Sequence, residues 1–155
     1  MTSSVGNPLG LVMLHIPHSS RHVPPTERQF IILDDSELST ELLRMTDAYT
    51  DELFPLTQVE AGRVIFPVSR LVCDVERFPS DENEPMAARG MGVIYTRTAM
   101  GGVLRAGPDL ATRQSVLDRW YWPHHSRLDQ RFRNSNHIRQ PYRAYSPRYE
   151  RRAPD

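Results

Sequence analysis

The sequence contains no lysine, one cysteine and no long apolar run. All 19 basic residues are arginine, a bias that we attribute to the base composition of the coding DNA. With Cys73 alone, an internal disulfide and a cysteine-based zinc cluster are both excluded, so a metal would be held by histidine and carboxylate. The chain has neither about 18 consecutive apolar residues nor the basic and apolar start of a signal peptide. We therefore expect a cytoplasmic protein that does not span a membrane.

Length and charge divide the chain into a domain and a tail. The 155 residues are enough for one core, since single domains cluster near about 100–150 residues. Residues 1–130 carry 12 arginines against 17 acids, whereas residues 131–155 carry 7 against 2. The end of the chain has no apolar periodicity and cannot offset the entropy of ordering it. We predict a domain over 1–132 and a disordered tail over 133–155 that is rich in arginine, proline and tyrosine.

Hydrophobic patterning predicts an α/β fold in which a sheet is flanked by helices. The predicted strands are Leu11–Ile16, Arg63–Val68 (broken at Pro67), Leu71–Val75 and Gly92–Thr96. One helix is predicted within 34–57, with Asp35 or Ser36 as its cap, and a second over 109–120, which Pro123 stops or kinks before a further helical turn.

Three histidines fall within eight residues at the end of the first predicted strand: His15, His18 and His22. Histidine is the commonest metal ligand, and a zinc hydrolase needs three protein ligands and an open position for water. From the residues alone, the cluster is compatible both with a metal or catalytic site and with ordinary hydrogen-bonded or solvated histidines.

Carboxylates and arginines supply further candidates. Asp47 and Asp51 lie one turn apart on the first predicted helix, away from its apolar stripe, and the residues alone favour a solvated charged face. Asp74 interrupts an apolar run, where an unpaired carboxylate is costly to bury, so it requires a partner. The flanking Arg70 and Arg77 fit either a structural ion pair with Asp74 or a clamp on a substrate carboxylate.

Two other features are assigned structural roles. Arg89-Gly-Met-Gly92 lacks the pattern and the following helix of a nucleotide site, so we expect a tight turn there. Cys73 has the apolar neighbours Val72 and Val75, and we predict a small core residue and not a nucleophile.

Several long motifs resemble the N-formylglutamate amidohydrolase family in order and spacing across about residues 11–130. They are His15-Ile-Pro-His-Ser-Ser, Leu43-Arg-Met-Thr-Asp-Ala-Tyr-Thr-Asp-Glu-Leu-Phe54, Phe66-Pro-Val-Ser-Arg-Leu-Val-Cys-Asp-Val-Glu-Arg-Phe-Pro79, Glu84-Pro-Met-Ala-Ala-Arg-Gly-Met-Gly-Val-Ile-Tyr-Thr-Arg-Thr98 and Tyr121-Trp-Pro-His-His125.

The resemblance implies a fold similar to the zinc carboxypeptidases and hydrolysis of N-formyl-L-glutamate to formate and L-glutamate, late in histidine degradation. It implies Zn²⁺ or another divalent metal, with His18 and Asp47 as ligands. Arg70 and Arg77 are then expected to hold the substrate carboxylates, with Asp74 orienting them. The implied partner is a small N-formyl or N-acyl amino acid, and the oligomeric state is left open.

One departure from the family pattern concerns the third metal ligand. Family members continue after the Tyr-x-Pro-x-His helix into an Asp-x-His-Ser motif, which is absent after His125 here. We therefore expect a truncated family member with an incomplete metal site. Substitution by His125 or His137 is disfavoured, since a ligand on a disordered tail has to order the tail as it binds. The alternatives are a catalytically inactive member and, ranked lowest, a nucleic-acid-binding protein acting through its basic tail.

Overall fold

The computed structural model describes residues 13–53 and 63–135. Its elements in chain order are β1 (Leu14–Ile16), α1 (Pro25–Arg28), α2 (Asp35–Met45), α3 (Thr50–Leu53), β2 (Arg63–Ile65), a 3₁₀-helix (Pro85–Arg89), α4 (Leu110–Val116), a π-helical segment (Leu117–Tyr121) and α5 (Trp122–Ser135). The predicted disorder of the tail concerns residues that lie almost wholly outside the described ranges.

The described sheet has two parallel strands. β1 pairs with β2 in the register Leu14↔Arg63, His15↔Val64 and Ile16↔Ile65. β2 ends before Pro67, which has no N–H to donate to a ladder. Parallel strands end at the same edge of a sheet, so the segment after β1, which carries His18, lies beside the segment after β2, which leads to Arg70 and Asp74.

Helix α2 begins with a capping box. The Asp34 carboxylate accepts from the Glu37 N–H at 2.8 Å, and the Glu37 carboxylate accepts from the Asp34 N–H at 3.0 Å. The cap is therefore Asp34 and not the predicted Asp35 or Ser36, because only Asp34 has both the extended backbone and the Glu three residues later.

The first predicted helix is broken. α2 ends at Met45, Thr46 is extended at φ −102° and ψ 130°, and Tyr49 has a positive φ of 66° before α3 begins at Thr50. Because of this break, Asp47 lies outside the helix. Its N–H donates to the His18 carbonyl at 3.0 Å. The prediction that Asp47 and Asp51 share one helical face was therefore wrong, and residues 54–57 of that helix lie outside the described ranges.

Two predicted strands are not strands in the structure. Leu71–Val75 forms turns in which the Val72 N–H donates to the Ser69 carbonyl at 2.9 Å, and its link to Gly92–Thr96 is the bond from the Asp74 N–H to the Val93 carbonyl at 2.8 Å. Both segments are nevertheless core, with Leu71, Val72 and Val93 fully buried. A short apolar run indicates that a segment is buried, but the run alone does not determine whether its backbone forms a strand or turns.

The second predicted helix starts where expected and runs past Pro123. Asp109 caps α4 by accepting from the Thr112 N–H at 2.7 Å. The helix does not stop at Pro123. Just before this proline it passes through the π-helical segment, in which the Trp122 N–H donates to the Leu117 carbonyl, and it then continues as α5. Because Pro123 donates no N–H, the regular ladder is already interrupted at this point.

The core lies between the turn segments and this long helix. Its larger cluster joins Phe66, Val68, Val72, Cys73, Val75, Val93, Ile94, Val116, Leu117 and Tyr121, and a smaller one joins Ile31, Leu38, Leu71, Tyr95 and Leu104. A mixed helical fold with a small open parallel sheet is compatible with the predicted α/β class. The likeness to zinc carboxypeptidases stays a prediction.

Candidate functional site

His18 lies just beyond β1 with its ring buried. Its Nε2 is 2.9 Å from Asp74 Oδ1, and its carbonyl holds the Asp47 backbone in place. Because Nε2 is the hydrogen-bonding donor toward a carboxylate, Nδ1 carries the lone pair in the neutral ring. The neighbouring Pro17 and the end of β1 thus place one acceptor nitrogen of His18 at a defined point.

Asp74 is fully buried and receives a bond at each carboxylate oxygen. Oδ1 accepts from His18 and from the Glu76 N–H at 3.0 Å. Oδ2 accepts from Arg70 Nε at 3.2 Å, from Arg70 Nη2 at 2.9 Å and from the Tyr95 hydroxyl at 2.6 Å. The expectation that Asp74 needs a partner is met by Arg70, with His18 and Tyr95 in addition.

These bonds keep Asp74 ionised. Burial by itself raises the pKa of Asp74, but the hydrogen bond from His18, the charge of Arg70 and the bond from Tyr95 together hold that pKa well below its usual range. Burial and the Asp74 charge raise the pKa of Tyr95 to about 12, so its hydroxyl remains a donor. The cluster is therefore a charged centre whose buried hydrogen-bonding groups satisfy one another.

Arg77 is held less tightly than Arg70. Its Nε is 3.6 Å from Asp74 Oδ2 and its Nη1 is 3.6 Å from Glu84 Oε1. Among the described residues, Arg77 Nε has no hydrogen-bond partner although it is buried. The structure thus places all three predicted substrate-binding residues together, with one guanidinium paired and the other retaining a donor.

Two carboxylates approach the free nitrogen of His18. Asp47 Oδ2 is 3.5 Å and Glu76 Oε2 is 3.6 Å from His18 Nδ1. Their side chains are 56% and 52% exposed, so both have room to move. Sequence reasoning missed Glu76. Its position two residues after the buried Asp74, within the same motif, was the available signal.

The donor chemistry at His18 Nδ1 fits a divalent metal. Two ligands of a tetrahedral zinc with bonds of about 2.0–2.1 Å lie roughly 3.3–3.4 Å apart, close to the separations at Nδ1. A histidine whose other nitrogen bonds a carboxylate is also the usual arrangement of a zinc ligand. Within residues 13–53 and 63–135, however, no three His, Cys, Asp or Glu side chains form a group that could hold a metal ion as they stand.

A pair of histidines, one from β1 and one from α5, is also in contact. His15 Nε2 is 2.8 Å from His124 Nε2, with the two rings 5.0 Å apart. His124 is fully buried, and its Nδ1 has no hydrogen-bond partner within the described part of the chain. Burial, with His15 and His125 nearby, lowers the pKa of His124 to about 3. His124 and His125 both lie in the first turn of α5.

The structure describes only one of the two substitute ligands named from the sequence, His125 and His137. His125 Nε2 is 3.0 Å from the Val75 carbonyl, so that nitrogen is already engaged. His137 lies outside the described residues. His22 is exposed, and the structure gives it no part in the cluster.

Both structural assignments made from sequence are confirmed. Gly90 has a positive φ of 72°, its N–H donates to the Ala87 carbonyl at 2.8 Å, and the Met91 N–H donates to the Met86 carbonyl at 3.0 Å, so the chain makes a tight turn at Gly90. Cys73 is fully buried, and burial strongly raises the pKa of its thiol, as expected of a core residue.

Comparison with known proteins defines the class. A model of the N-formylglutamate amidohydrolase family matches residues 11–143. Because the match covers most of the chain, this protein belongs to the N-formylglutamate amidohydrolase family. No curated protein and no solved structure matches the chain. The match extends into residues 133–143, which were assigned to the tail.

Family membership supports an amide hydrolase acting on a small molecule. In the described part of the chain, no helix combines the length and apolar character that crossing a membrane requires.

Proposed function

We propose that this protein is a metal-dependent hydrolase that cleaves N-formyl-L-glutamate with water to give formate and L-glutamate, a step of histidine degradation. The observation that carries the proposal is the bridging position of Asp74. One of its oxygens binds His18 and the other binds Arg70, so a single buried carboxylate links the proposed metal ligand to the proposed substrate clamp.

In this proposal His18 Nδ1 and Asp47 hold a zinc or similar ion. When bound, the ion polarises the formyl carbonyl and makes water more acidic. Asp74 accepts the Nε2 proton of His18, which fixes the tautomer and aims Nδ1 at Asp47. The distance of 3.5 Å between His18 and Asp47 supports this ligand pair.

Arg70 and Arg77 bind the carboxylates of the glutamate portion. Arg70 is oriented by two bonds to Asp74, while Arg77 has the unpartnered Nε described above. Their side chains are 16% and 26% exposed, so both are reachable from solvent. A guanidinium fork matches a carboxylate in geometry and charge, which suits a dicarboxylate product.

We assign proton transfer to Glu76, the other carboxylate near His18 Nδ1. It accepts a proton from the attacking water as the new C–O bond forms. It then returns that proton to the leaving nitrogen as the C–N bond breaks, so that formate and an amine are released. Its exposed position provides access to substrate and solvent.

The experiment is formate release from N-formyl-L-glutamate by the purified chain with zinc supplied, together with bound zinc per chain. We expect turnover that is lost in His18→Ala, with zinc binding reduced as well. His22→Ala is the matched control, because it removes an exposed histidine of the same loop and is expected to retain both. Turnover in His18→Ala equal to the unmodified chain would point to a contaminating enzyme and contradict the proposal.

A second candidate is a family member without catalytic activity. It is favoured by one observation: the described residues contain no three-ligand group that could hold a metal ion. A site with two ligands binds zinc weakly. Folded chain that neither takes up zinc nor releases formate would select this candidate. Nucleic-acid binding through the tail concerns residues mostly outside the described ranges and stays the lowest-ranked alternative.

A further inference from the structure

Arg105 is a buried arginine that contacts the backbone of Leu71. It lies before α4 and is only 5% exposed. Its Nη2 donates to the Leu71 carbonyl, while its buried Nε has no hydrogen-bond partner among residues 13–53 and 63–135. Leaving a buried donor without a partner is destabilising, so a ligand that accepts a hydrogen bond from this N–H would be favoured.

The charge of Arg105 is not neutralised by a nearby carboxylate. Among the described residues, no Asp or Glu forms an ion pair with it, and Glu27 acts on it only at longer range. The Glu27 carboxylate is itself bonded by Arg119 Nη1 at 3.0 Å and by Trp120 Nε1 at 3.1 Å. Burial lowers the pKa of Arg105 to about 10, which leaves it charged at neutral pH. Arg105, Glu27 and Arg119 together therefore carry a net positive charge.

A cavity of about 190 Å³ is lined in part by Arg105. At roughly 30 Å³ per water molecule it has room for a ligand of a few heavy atoms. Its walls include Arg105 and the apolar side chains of Phe30, Ile94, Pro108 and Val116. An apolar pocket with one convergent charged group is the usual form of a small-molecule site.

Asp109 limits the charge of the ligand. It also lines the cavity, but it is exposed and its carboxylate is engaged in capping α4. Its charge at the rim disfavours a dianion such as phosphate more than a monoanion. Apart from Arg105, Asp109 and Thr112, the side chains of the wall are apolar, so the matching ligand has one carboxylate and a short aliphatic part.

We propose that the Arg105 cavity binds a small aliphatic monocarboxylate at a site separate from the His18–Asp74 cluster. The carboxylate pairs with the guanidinium, and the aliphatic part contacts the apolar wall. This inference does not depend on the proposed hydrolase activity, because its readout is binding and not turnover.

The test compares butyrate with butyramide, its uncharged analogue, and with inorganic phosphate, using ligand-observed NMR on the full chain without added metal. We expect saturable butyrate binding and at least a tenfold weaker response to the other two. Arg105→Gln is expected to weaken butyrate binding at least tenfold. Arg89→Gln, which removes an exposed arginine, is the matched control and is expected to bind as the unmodified chain does.

A second variant covers the case in which Arg105→Gln does not fold. Gly107 lines the cavity, and a Cβ built on it meets no atom within 4 Å, so Gly107→Phe adds bulk without a clash at Cβ. We expect it to fold by circular dichroism and to lose butyrate binding. Equal binding of butyrate and butyramide, preferred binding of phosphate, or full butyrate binding in a folded Gly107→Phe or Arg105→Gln chain would each overturn the proposal.

Discussion

Asp74 is the residue on which the hydrogen bonds of the candidate site converge. A carboxylate inside an apolar run predicts a nearby arginine, because an unpaired buried charge is too costly, and Arg70 is only four residues away. The bonds from His18 and Tyr95 were not predictable in this way, since these residues lie 56 and 21 positions away and reach Asp74 only through tertiary folding. Local charge balance was therefore readable from the sequence, whereas the bridge between the two parts of the site was not.

We expect Asp74→Asn to lower the free energy of unfolding by about 3–5 kcal/mol, because it removes a fully buried charge and leaves the Arg70 guanidinium, with a side chain only 16% exposed, without its partner. Urea denaturation followed by circular dichroism measures the loss. Asp35→Asn is the control: Asp35 pairs with Arg28 at the same 2.9 Å, but its side chain is 98% exposed, against 0% for Asp74. Exposed pairs contribute little. Similar losses in the two variants would contradict the assignment of Asp74 as the centre of the cluster.

At the level of elements, the capping box of α2 gives a test of where the helix begins. Asp34→Ala removes the acceptor for the Glu37 N–H, and we expect a loss of about 0.5–2 kcal/mol in unfolding free energy. Ser36→Ala removes the hydroxyl of an alternative cap and is expected to change stability by less than about 0.5 kcal/mol. Both changes are measured by urea denaturation. A larger loss for Ser36→Ala than for Asp34→Ala would place the start of the helix elsewhere.

The elements also separate what patterning can predict from what it cannot. Apolar spacing identified α2, and an amphipathic pattern over 109–120 identified α4. The same spacing continued through the break at Thr46–Tyr49, which depends on a backbone with positive φ at Tyr49 that periodicity does not report. For Leu71–Val75, the buried apolar run was read correctly as core and wrongly as a strand.

At the scale of the whole molecule, the candidate site draws on segments that only the fold brings together. His18 follows β1, Asp47 lies between α2 and α3, and Asp74 and Glu76 lie in the turns after β2. The resemblance to the family predicted five of the six residues that are assigned roles at this centre, all but Glu76, but it did not predict their separations. Glu76 and the contact between His15 and His124 were missed because both arise from pairing of distant segments.

The buried histidines make the stability of the whole molecule depend on pH. The pKa values of His15, His124 and His125 are all lowered, chiefly by burial, and that of His124 falls to about 3. Between that value and the ordinary pKa of about 6.5, the unfolded chain binds a proton at His124 that the folded chain does not. Stability contributed by the neutral ring is therefore present above about pH 6.5 and is lost as the pH falls, by at most about 1.4 kcal/mol per pH unit for one proton.

We accordingly expect the Tm to fall steadily from pH 7 to pH 4.5 in calorimetry. His124→Gln is expected to be less stable at pH 7, because it loses packing against Phe66 and the contact with His15, but to show a shallower decline with acidification. His22→Gln changes an exposed histidine and serves as the control, with the pH dependence of the unmodified chain. A His124→Gln chain whose Tm declines as steeply as the unmodified chain would show that His124 is not the residue taking up the proton on unfolding.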